Sequence, residues 1–111
     1  MNWTVETLNA IVDAELEALP ADMRARFVRI SRLIEEFGLE HVHEPHVKHL
    51  RGPLWEMRLK GRDGIYQALY VTAVGRRVVV VRVFIKKTQS TPSREIELAL
   101  KRAKEIGQCV T

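Results

Sequence analysis

The stretch that decides the fold is "LWEMRLKGRDGIYQALYVTAVGRRVVVVRVFIK", residues 54–86. In its first seven residues apolar and polar side chains alternate, which is the period of a β-strand with one buried face. Two further β-branched and aromatic runs, "IYQALYVTAV" and "VVVVRVFIK", follow the turn sequences "GRDG" and "GRR". Three strands joined by such short glycine-containing links predict an antiparallel meander.

Helical signals flank this meander. "WTVETL" at 3–8 predicts a short strand, after which Asn9 caps a helix over roughly 10–18. Pro20 suits the first turn of a second helix, and Gly38 suits the position just after its end. The apolar face of the second helix has steps of four and three and consists of Met23, Phe27, Ile30, Ile34 and Phe37. The short "LP" link between the helices favours an antiparallel hairpin.

A last helix begins at Thr91 and Pro92. Its apolar face consists of Ile96, Ala99, Leu100, Ala103 and Ile106. The sequence therefore predicts an α+β fold with an N-terminal helical hairpin, a twisted antiparallel sheet of three to four strands, and a C-terminal helix. Since the chain has 111 residues, we expect one domain, 1–111, with one modest core.

Composition excludes several classes of protein. No apolar run approaches the roughly 20 residues that span a bilayer, so we expect no membrane partner. The N-terminus has no basic region and carries acids through its apolar part, unlike a secretory signal. The lone cysteine, Cys109, cannot form an internal disulfide. These features favour a protein of the reducing cytoplasm.

The net charge of +4 is distributed unevenly along the chain. Residues 1–45 carry four basic and nine acidic side chains, whereas residues 46–87 carry ten basic and two acidic ones. Residues 88–111 are close to balance. A cationic middle segment favours a surface that binds a polyanion, and a solvated basic sheet face without a partner is the alternative.

All four histidines lie in "HVHEPHVKH", residues 41–49. A structural zinc site requires four fixed ligands at characteristic spacings, and this histidine spacing in a proline-containing segment matches none of them. We therefore expect a polar linker and no metal or other cofactor. His49 is the histidine that remains a candidate for proton transfer, because it adjoins Lys48 and an imidazole titrates near neutrality.

Two segments carry a resemblance to a known family. They are "LWEMRLKGRDGIYQALYV" and "VVVVRVFIKKTQSTPSREIELALKRAKEI". The likeness rests on the order and spacing of the motifs "LWE-x-R", "IY-x-x-LY" and "F-x-KKTQ-x-TP-x-x-EI-x-x-A-x-x-R". On these residues the chain resembles the RelE/ParE toxin superfamily. It is most similar to the HigB-like branch of type II toxin–antitoxin toxins, which includes the phage-derived Gp49-like family. The likeness covers about residues 45–106.

This resemblance implies a small toxin that cleaves mRNA, usually on the translating ribosome, without a metal. It also implies a cognate antitoxin of the helix-turn-helix type as partner, besides mRNA and the ribosome. Some relatives instead inhibit DNA gyrase without acting as nucleases. A non-enzymatic ParE-like toxin or binding module that inhibits such a protein is therefore the alternative.

The resemblance also selects candidate site residues. Arg58 matches the basic residue of the first meander strand, and Lys87 belongs to the "KK" pair, while Lys48 leads into the first strand. Arginine stays protonated at neutral pH, so it clamps phosphate better than it accepts a proton, which leaves proton transfer to a lysine. The predicted catalytic residues are Lys48, Arg58 and Lys87. The predicted RNA-binding residues are Arg51, Lys60, Gln67, Arg82 and Lys86.

Two positions depart from the family pattern. Gln67 stands where many relatives have a phosphate-binding arginine, and Arg82 stands where HigB-like chains often have histidine. The two changes compensate for one another if both side chains reach the same pocket. Glu56 shares a strand face with Arg58, so it is expected to orient this arginine and not to contact RNA.

The strand aromatics have a simpler interpretation. Trp55, Tyr66 and Tyr70 are expected in the core because they lie in predicted strands. Base stacking by one of the tyrosines is the alternative.

Overall fold

The computed structural model describes residues 2–42, 46–62, 64–87, 90–106 and 109–110. Its elements, in chain order, are β1 (Thr4–Thr7), α1 (Ala10–Glu17), α2 (Ala21–Phe37), β2 (Val47–Arg51), β3 (Leu54–Gly61), β4 (Gly64–Ala73), β5 (Arg77–Lys86), α3 (Ser93–Ala103) and β6 (Cys109–Val110). Single 3₁₀ turns follow α2 at Leu39–His41 and α3 at Lys104–Ile106. The predicted α+β fold is confirmed, including the short strand before the first helix.

The sheet has the strand order β1-β5-β4-β3-β2, and β6 pairs with the end of β4. The meander β3-β4-β5 is antiparallel throughout, as predicted, and β1 joins its far edge in parallel with β5. The sheet is wider than the expected three to four strands because both flanking segments add strands. In particular, Val47 and His49, placed by the sequence in a linker, pair with Met57 and Trp55 on β3.

The remaining linker residues, 43–45, lie outside the described part of the chain. His46 precedes β2 and is exposed. The linker prediction was wrong for Val47, Lys48 and His49, which lie in β2. These residues form a strand because the alternation of their side chains matches the pleat of β3, with which they pair.

Both N-terminal helices begin where the sequence predicts. Asn9 accepts a hydrogen bond from the backbone N–H of Val12 at 3.1 Å, which is the predicted cap of α1. α2 starts after Pro20 and buries four of the five predicted apolar residues, namely Met23, Phe27, Ile30 and Ile34. The fifth, Phe37, is 56% exposed at the helix end. The helix stops at Gly38, whose φ of 91° suits glycine.

The sheet separates two hydrophobic clusters. One lies under α1 and α2 and includes Val12, Ile34, Leu59, Tyr70 and Val80. The other lies under α3 and includes Leu54, Leu69, Val81, Ile96 and Ala99. The expectation of one modest core was therefore incomplete, because α3 covers the face of the sheet opposite the other two helices. None of the helices among the described residues is both long and apolar enough to cross a bilayer.

The three strand aromatics differ in burial. Tyr70 is fully buried and Tyr66 is packed at the margin of the first cluster, so both agree with the expected core position. Trp55 is 38% exposed, and the prediction that it lies in the core was wrong. It lies next to β2 at the edge of the sheet, and its ring meets the His49 ring edge-on at 5.0 Å.

Candidate functional site

A cationic groove lies between α2 and the free edge of β3. Five basic side chains line it, namely Arg26, Arg29, His46, Arg58 and Lys60, together with Ile30 and Leu33. Its cavity volume is about 330 Å³. Among the described residues no carboxylate lines this groove. The cations are therefore not neutralised from within the groove, which favours an anionic ligand.

The strand register explains why these cations meet. β2 pairs with β3 only as far as Met57, so the second half of β3 is an edge that no described strand covers. Arg58 and Lys60 alternate with buried Leu59 along this edge. Arg26 and Arg29 are three residues apart on α2 and therefore lie on one side of the helix, next to the buried Ile30.

Arg26 and Arg29, the two of the four α2 arginines that line the groove, were missed by the sequence analysis. The charge count placed the basic surface within residues 46–87, because the first 45 residues are acidic in sum. The groove shows that Arg26 and Arg29 join this surface from the acidic segment. A usable signal was present, since all four basic residues of that segment lie between Arg24 and Arg32.

Beneath Arg58 lies a buried polar cluster. Glu56 is 2% exposed and Gln67 is fully buried. Thr91 Oγ1 lies 3.0 Å from Glu56 Oε2 and 3.1 Å from Gln67 Oε1. Arg58 Nη2 lies 3.9 Å from Glu56 Oε1, so the predicted pairing of this arginine with Glu56 is present as a loose ion pair.

The donors of this cluster identify one consistent arrangement. A threonine hydroxyl has one proton and cannot donate to both oxygens, and Gln67 Nε2 has no partner among the described residues. Exchanging the amide oxygen and nitrogen of Gln67 resolves the first problem, and it moves the amide oxygen into the position without a partner among the described residues. The amide then donates to Thr91, whose hydroxyl donates to Glu56. In this arrangement Gln67 holds Thr91, and it cannot contact RNA as predicted unless Thr91 moves.

Arg82 is bound by carboxylates. Its Nε and Nη2 donate to Glu95 of α3 at 2.6 and 3.2 Å, and its Nη1 donates to Glu15 of α1 at 2.9 Å. The hydrogen bond from Glu95 is the main cause of a raised Arg82 pKa, and Glu15 adds to it. Arg102 completes this ion-pair cluster by donating to Glu15 Oε1 at 3.1 Å and to the Val81 carbonyl at 2.8 Å.

The predicted compensation between Gln67 and Arg82 stays a prediction, since the two residues are diagonal neighbours on adjacent strands but Gln67 contacts Thr91 and Arg82 contacts two glutamates. Gln67 stands opposite Phe84, whereas Arg82 stands opposite Leu69. The register shifts there, so that Val81 is an extra residue on β5. An RNA contact by Arg82 stays a prediction, and it would require this side chain to leave two glutamates.

The other predicted basic residues are distributed over three strands. Lys48 is exposed on β2 and stands opposite Glu56, and Arg51 is exposed at the end of that strand. Lys60 on β3 and Lys86 on β5 both pair with Ile65 of β4, which lies between them. Their backbones are therefore about 10 Å apart. Lys87 follows β5 and is exposed, while the next two residues of its "KKTQ" motif lie outside the described residues.

The histidines form no metal centre in the part of the chain that the structure describes, where no group of three His, Cys, Asp or Glu side chains is placed to hold an ion. His49, the predicted proton-transfer candidate, lies opposite Trp55, and its Nε2 donates to the Gly52 carbonyl at 2.9 Å. Its neighbour Lys48 stands opposite Glu56 instead. The two side chains therefore point to opposite faces of the strand, and their adjacency in sequence does not bring them together.

Known proteins share this architecture. The profile of the family described as Phage derived protein Gp49-like (DUF891) matches residues 14–104. A structure of the E. coli toxin RelE, an arginine-to-alanine double mutant in the free state, is similar with a TM-score of 0.65. The similarity covers 92% of this chain and 98% of that chain at 18% sequence identity, which shows a common fold. Among curated proteins no sequence matches the chain. The predicted likeness to the RelE/ParE superfamily is confirmed.

Proposed function

The chain belongs to the phage-derived Gp49-like family, and from this membership we propose that it is the toxin of a type II toxin–antitoxin system. Its activity is cleavage of mRNA on the translating ribosome, in the cytoplasm and without a metal. A helix-turn-helix antitoxin neutralises it. The observation that carries this proposal is the cationic groove around Arg58, since RNA is the polyanion that a translation-directed toxin meets.

Arg58 is the residue that holds the scissile phosphate. Its guanidinium is one-third exposed, and its loose contact with Glu56 leaves donors free for phosphate oxygens. Glu56 is buried and fixed by Thr91, so it orients the arginine from below without meeting the RNA backbone. A fixed cation at this position stabilises the negative charge that develops on the phosphoryl oxygens.

Lysines carry the proton transfers. The reaction requires a base that takes the ribose 2′-OH proton and an acid that protonates the leaving 5′-oxygen. Lys48 stands across from Glu56, and Lys87 follows the strand that ends beside Ile65, so they approach the Arg58 region from two sides of the sheet. Lys60, Lys86 and Arg51 extend the basic surface along the substrate strand.

A second candidate is a non-enzymatic toxin that binds and inhibits a protein such as DNA gyrase. The observation that favours it is the state of Gln67 and Arg82. One is a neutral, fully buried amide and the other is paired with Glu15 and Glu95, so neither supplies a free charge for catalysis.

The experiment that separates these functions is induced expression of the chain with transcriptome-wide mapping of RNA 5′ ends. The nuclease predicts new 5′ ends inside coding regions within minutes of induction. An Arg58→Ala variant at matched protein level serves as the inactive control. Growth arrest without new 5′ ends, accompanied by gyrase-dependent DNA breaks, would show that the second candidate is right.

A further inference from the structure

A second cavity lies on the opposite side of the sheet from α3. Its volume is about 720 Å³, within the usual range for small-molecule sites. The residues that line it are Trp3, Leu39, Glu40, Val42, Val47, Lys48, His49, Trp55 and Tyr70. They come from the segment before β1, the turn after α2, and strands β2 to β4. Of these residues only Lys48 takes part in the proposed chemistry.

Two hydrogen-bonding groups of its lining are unsatisfied. Tyr70 is fully buried, and its hydroxyl has no partner among the described residues. The indole N–H of Trp3 is also buried without a partner. An unpaired buried polar group costs about 1–3 kcal/mol, so two of them behind the wall of one cavity favour a ligand that brings hydrogen-bond acceptors and draws these side chains into contact with it.

The walls of the cavity are largely aromatic. Trp3, Trp55 and Tyr70 contribute three rings, and the His49 ring lies against Trp55. Flat aromatic surfaces bind flat ligands by stacking, and nucleobases combine a flat ring with acceptor atoms on its edge. An apolar leucine or phenylalanine side chain of a protein partner would leave the hydroxyl and the indole N–H unpaired.

The cavity also adjoins the proposed catalytic surface. Lys48 lines it and at the same time stands opposite Glu56, beneath Arg58, in the strand register. β2 is the outermost strand on this side of the sheet, so an RNA strand can pass over its edge from one face to the other.

We propose that this aromatic cavity binds one nucleobase of the RNA substrate, next to the nucleotide whose phosphate Arg58 holds. The inference rests on the proposed function. It adds a base-binding site on the opposite face of the sheet. Small shifts of Tyr70 and Trp3, whose hydroxyl and indole N–H are covered in the free chain, let them donate to the base. The toxin then binds phosphates of its substrate in the cationic groove and one base in the aromatic cavity.

The chain offers a direct readout of this site, because Trp3 and Trp55 are its only two tryptophans and both line the cavity. The test titrates the full-length chain with a 2′-O-methyl hexanucleotide, which cannot be cleaved through a 2′-OH. A matched hexanucleotide with the same phosphates but without bases serves as the control ligand. Tryptophan fluorescence reports the cavity, and anisotropy of an end label reports total binding.

We expect saturable tryptophan quenching by the base-containing oligonucleotide and none by the abasic one, although both bind. Tyr70→Phe should weaken binding of the base-containing oligonucleotide by about fivefold, the value of one neutral hydrogen bond. It should leave the abasic oligonucleotide unaffected. Loss of an unpaired hydroxyl does not threaten the fold. Tyr66→Phe, on the same strand but outside the cavity, should change neither affinity.

Equal binding of both oligonucleotides without quenching would overturn the base site and leave the cationic groove and the proposed nuclease intact. Quenching by the antitoxin alone, with no quenching by RNA, would also overturn it, because the cavity would then be a protein-docking site. Absence of any RNA binding, with no cleavage in cells, would refute the proposed function together with this inference.

Discussion

Two arginine–glutamate arrangements involve arginines of the sheet, Arg58 on β3 and Arg82 on β5, and they differ in how completely the guanidinium is bound. Arg82 makes three short hydrogen bonds, at 2.6 to 3.2 Å, to Glu15 and Glu95. Arg58 has one contact with Glu56, at 3.9 Å. The Arg82 guanidinium is held by hydrogen bonds within the fold, whereas the Arg58 guanidinium retains N–H donors for a ligand. Arg82 and Arg58 therefore differ in their availability to a ligand, although both are basic strand residues in sequence.

Arg58→Ala should have the largest effect. We expect RNA cleavage to fall by about 10²–10³-fold, because a fixed cation at the reacting phosphate is lost. The free energy of unfolding of this variant should change by less than about 1 kcal/mol, since the ion pair of Arg58 with Glu56 is loose and partly solvated. Cleavage of a reporter mRNA and urea unfolding measure the two quantities. Arg94→Ala, which removes an exposed arginine of α3, is the control. Full toxicity of an Arg58→Ala/Lys87→Ala variant at matched protein level would contradict the assignment.

Arg82→Ala should show the reverse pattern. Its removal leaves Glu15 and Glu95, both only partly exposed, without their shared cation, which should lower the free energy of unfolding by about 2 kcal/mol. RNA affinity measured well below the melting temperature should stay unchanged. A variant that loses RNA affinity but keeps its stability would show instead that Arg82 contacts RNA, as the sequence predicts.

The double variant Arg26→Ala/Arg29→Ala tests whether the α2 side of the groove contacts RNA phosphates. The slope of log affinity against log salt should become shallower by about 1.4, since each contact with a single-stranded phosphate contributes about 0.7. The measurement is RNA binding across a salt series. Arg24→Ala/Arg32→Ala removes two exposed arginines from the same helix outside the groove and should leave the slope unchanged. Equal slopes for the two double variants would exclude a specific role for the groove.

The smallest effect concerns pH and Tyr70. Burial raises the Tyr70 pKa above its ordinary value, so the folded chain retains this proton at a pH where the unfolded chain loses it. Stability should therefore be fully present below about pH 10, the unfolded pKa, and should decline as pH rises above it. The free energy of unfolding of the Tyr70→Phe variant, measured by urea unfolding, should decline less steeply across this pH range. Tyr66→Phe serves as the control. Parallel declines in Tyr70→Phe and the parent chain would contradict the assignment.

The sequence predicted the parts of the fold that depend on local pattern. Alternation in β3, the Asn9 cap and the apolar face of α2 each depend on residues a few positions apart, and all three are confirmed. The partners of Arg82 were not predictable in this way, because Glu15 lies 67 residues away from it. The extra residue at Val81 also shifts the register of β5, and no short-range signal in the sequence marks that shift.

The candidate site was predictable in part for the same reason. The family resemblance selected Arg58, and the alternation of a single strand placed Glu56 and Lys60 on the same face. Arg26 and Arg29 join them through packing of α2 against the strand edge, which composition along the chain does not reveal. The burial of Gln67 under Thr91 likewise depends on the approach of a loop from the far end of the meander.

The ion pair between Glu15 and Arg102 spans 87 residues of a 111-residue chain. During synthesis Glu15 emerges early, but its partner Arg102 is made only after strands β1 to β5 have been translated. The contact between α1 and α3 therefore forms only after translation has passed Arg102. A nascent chain that has not reached this residue lacks the cluster that holds α1, β5 and α3 together.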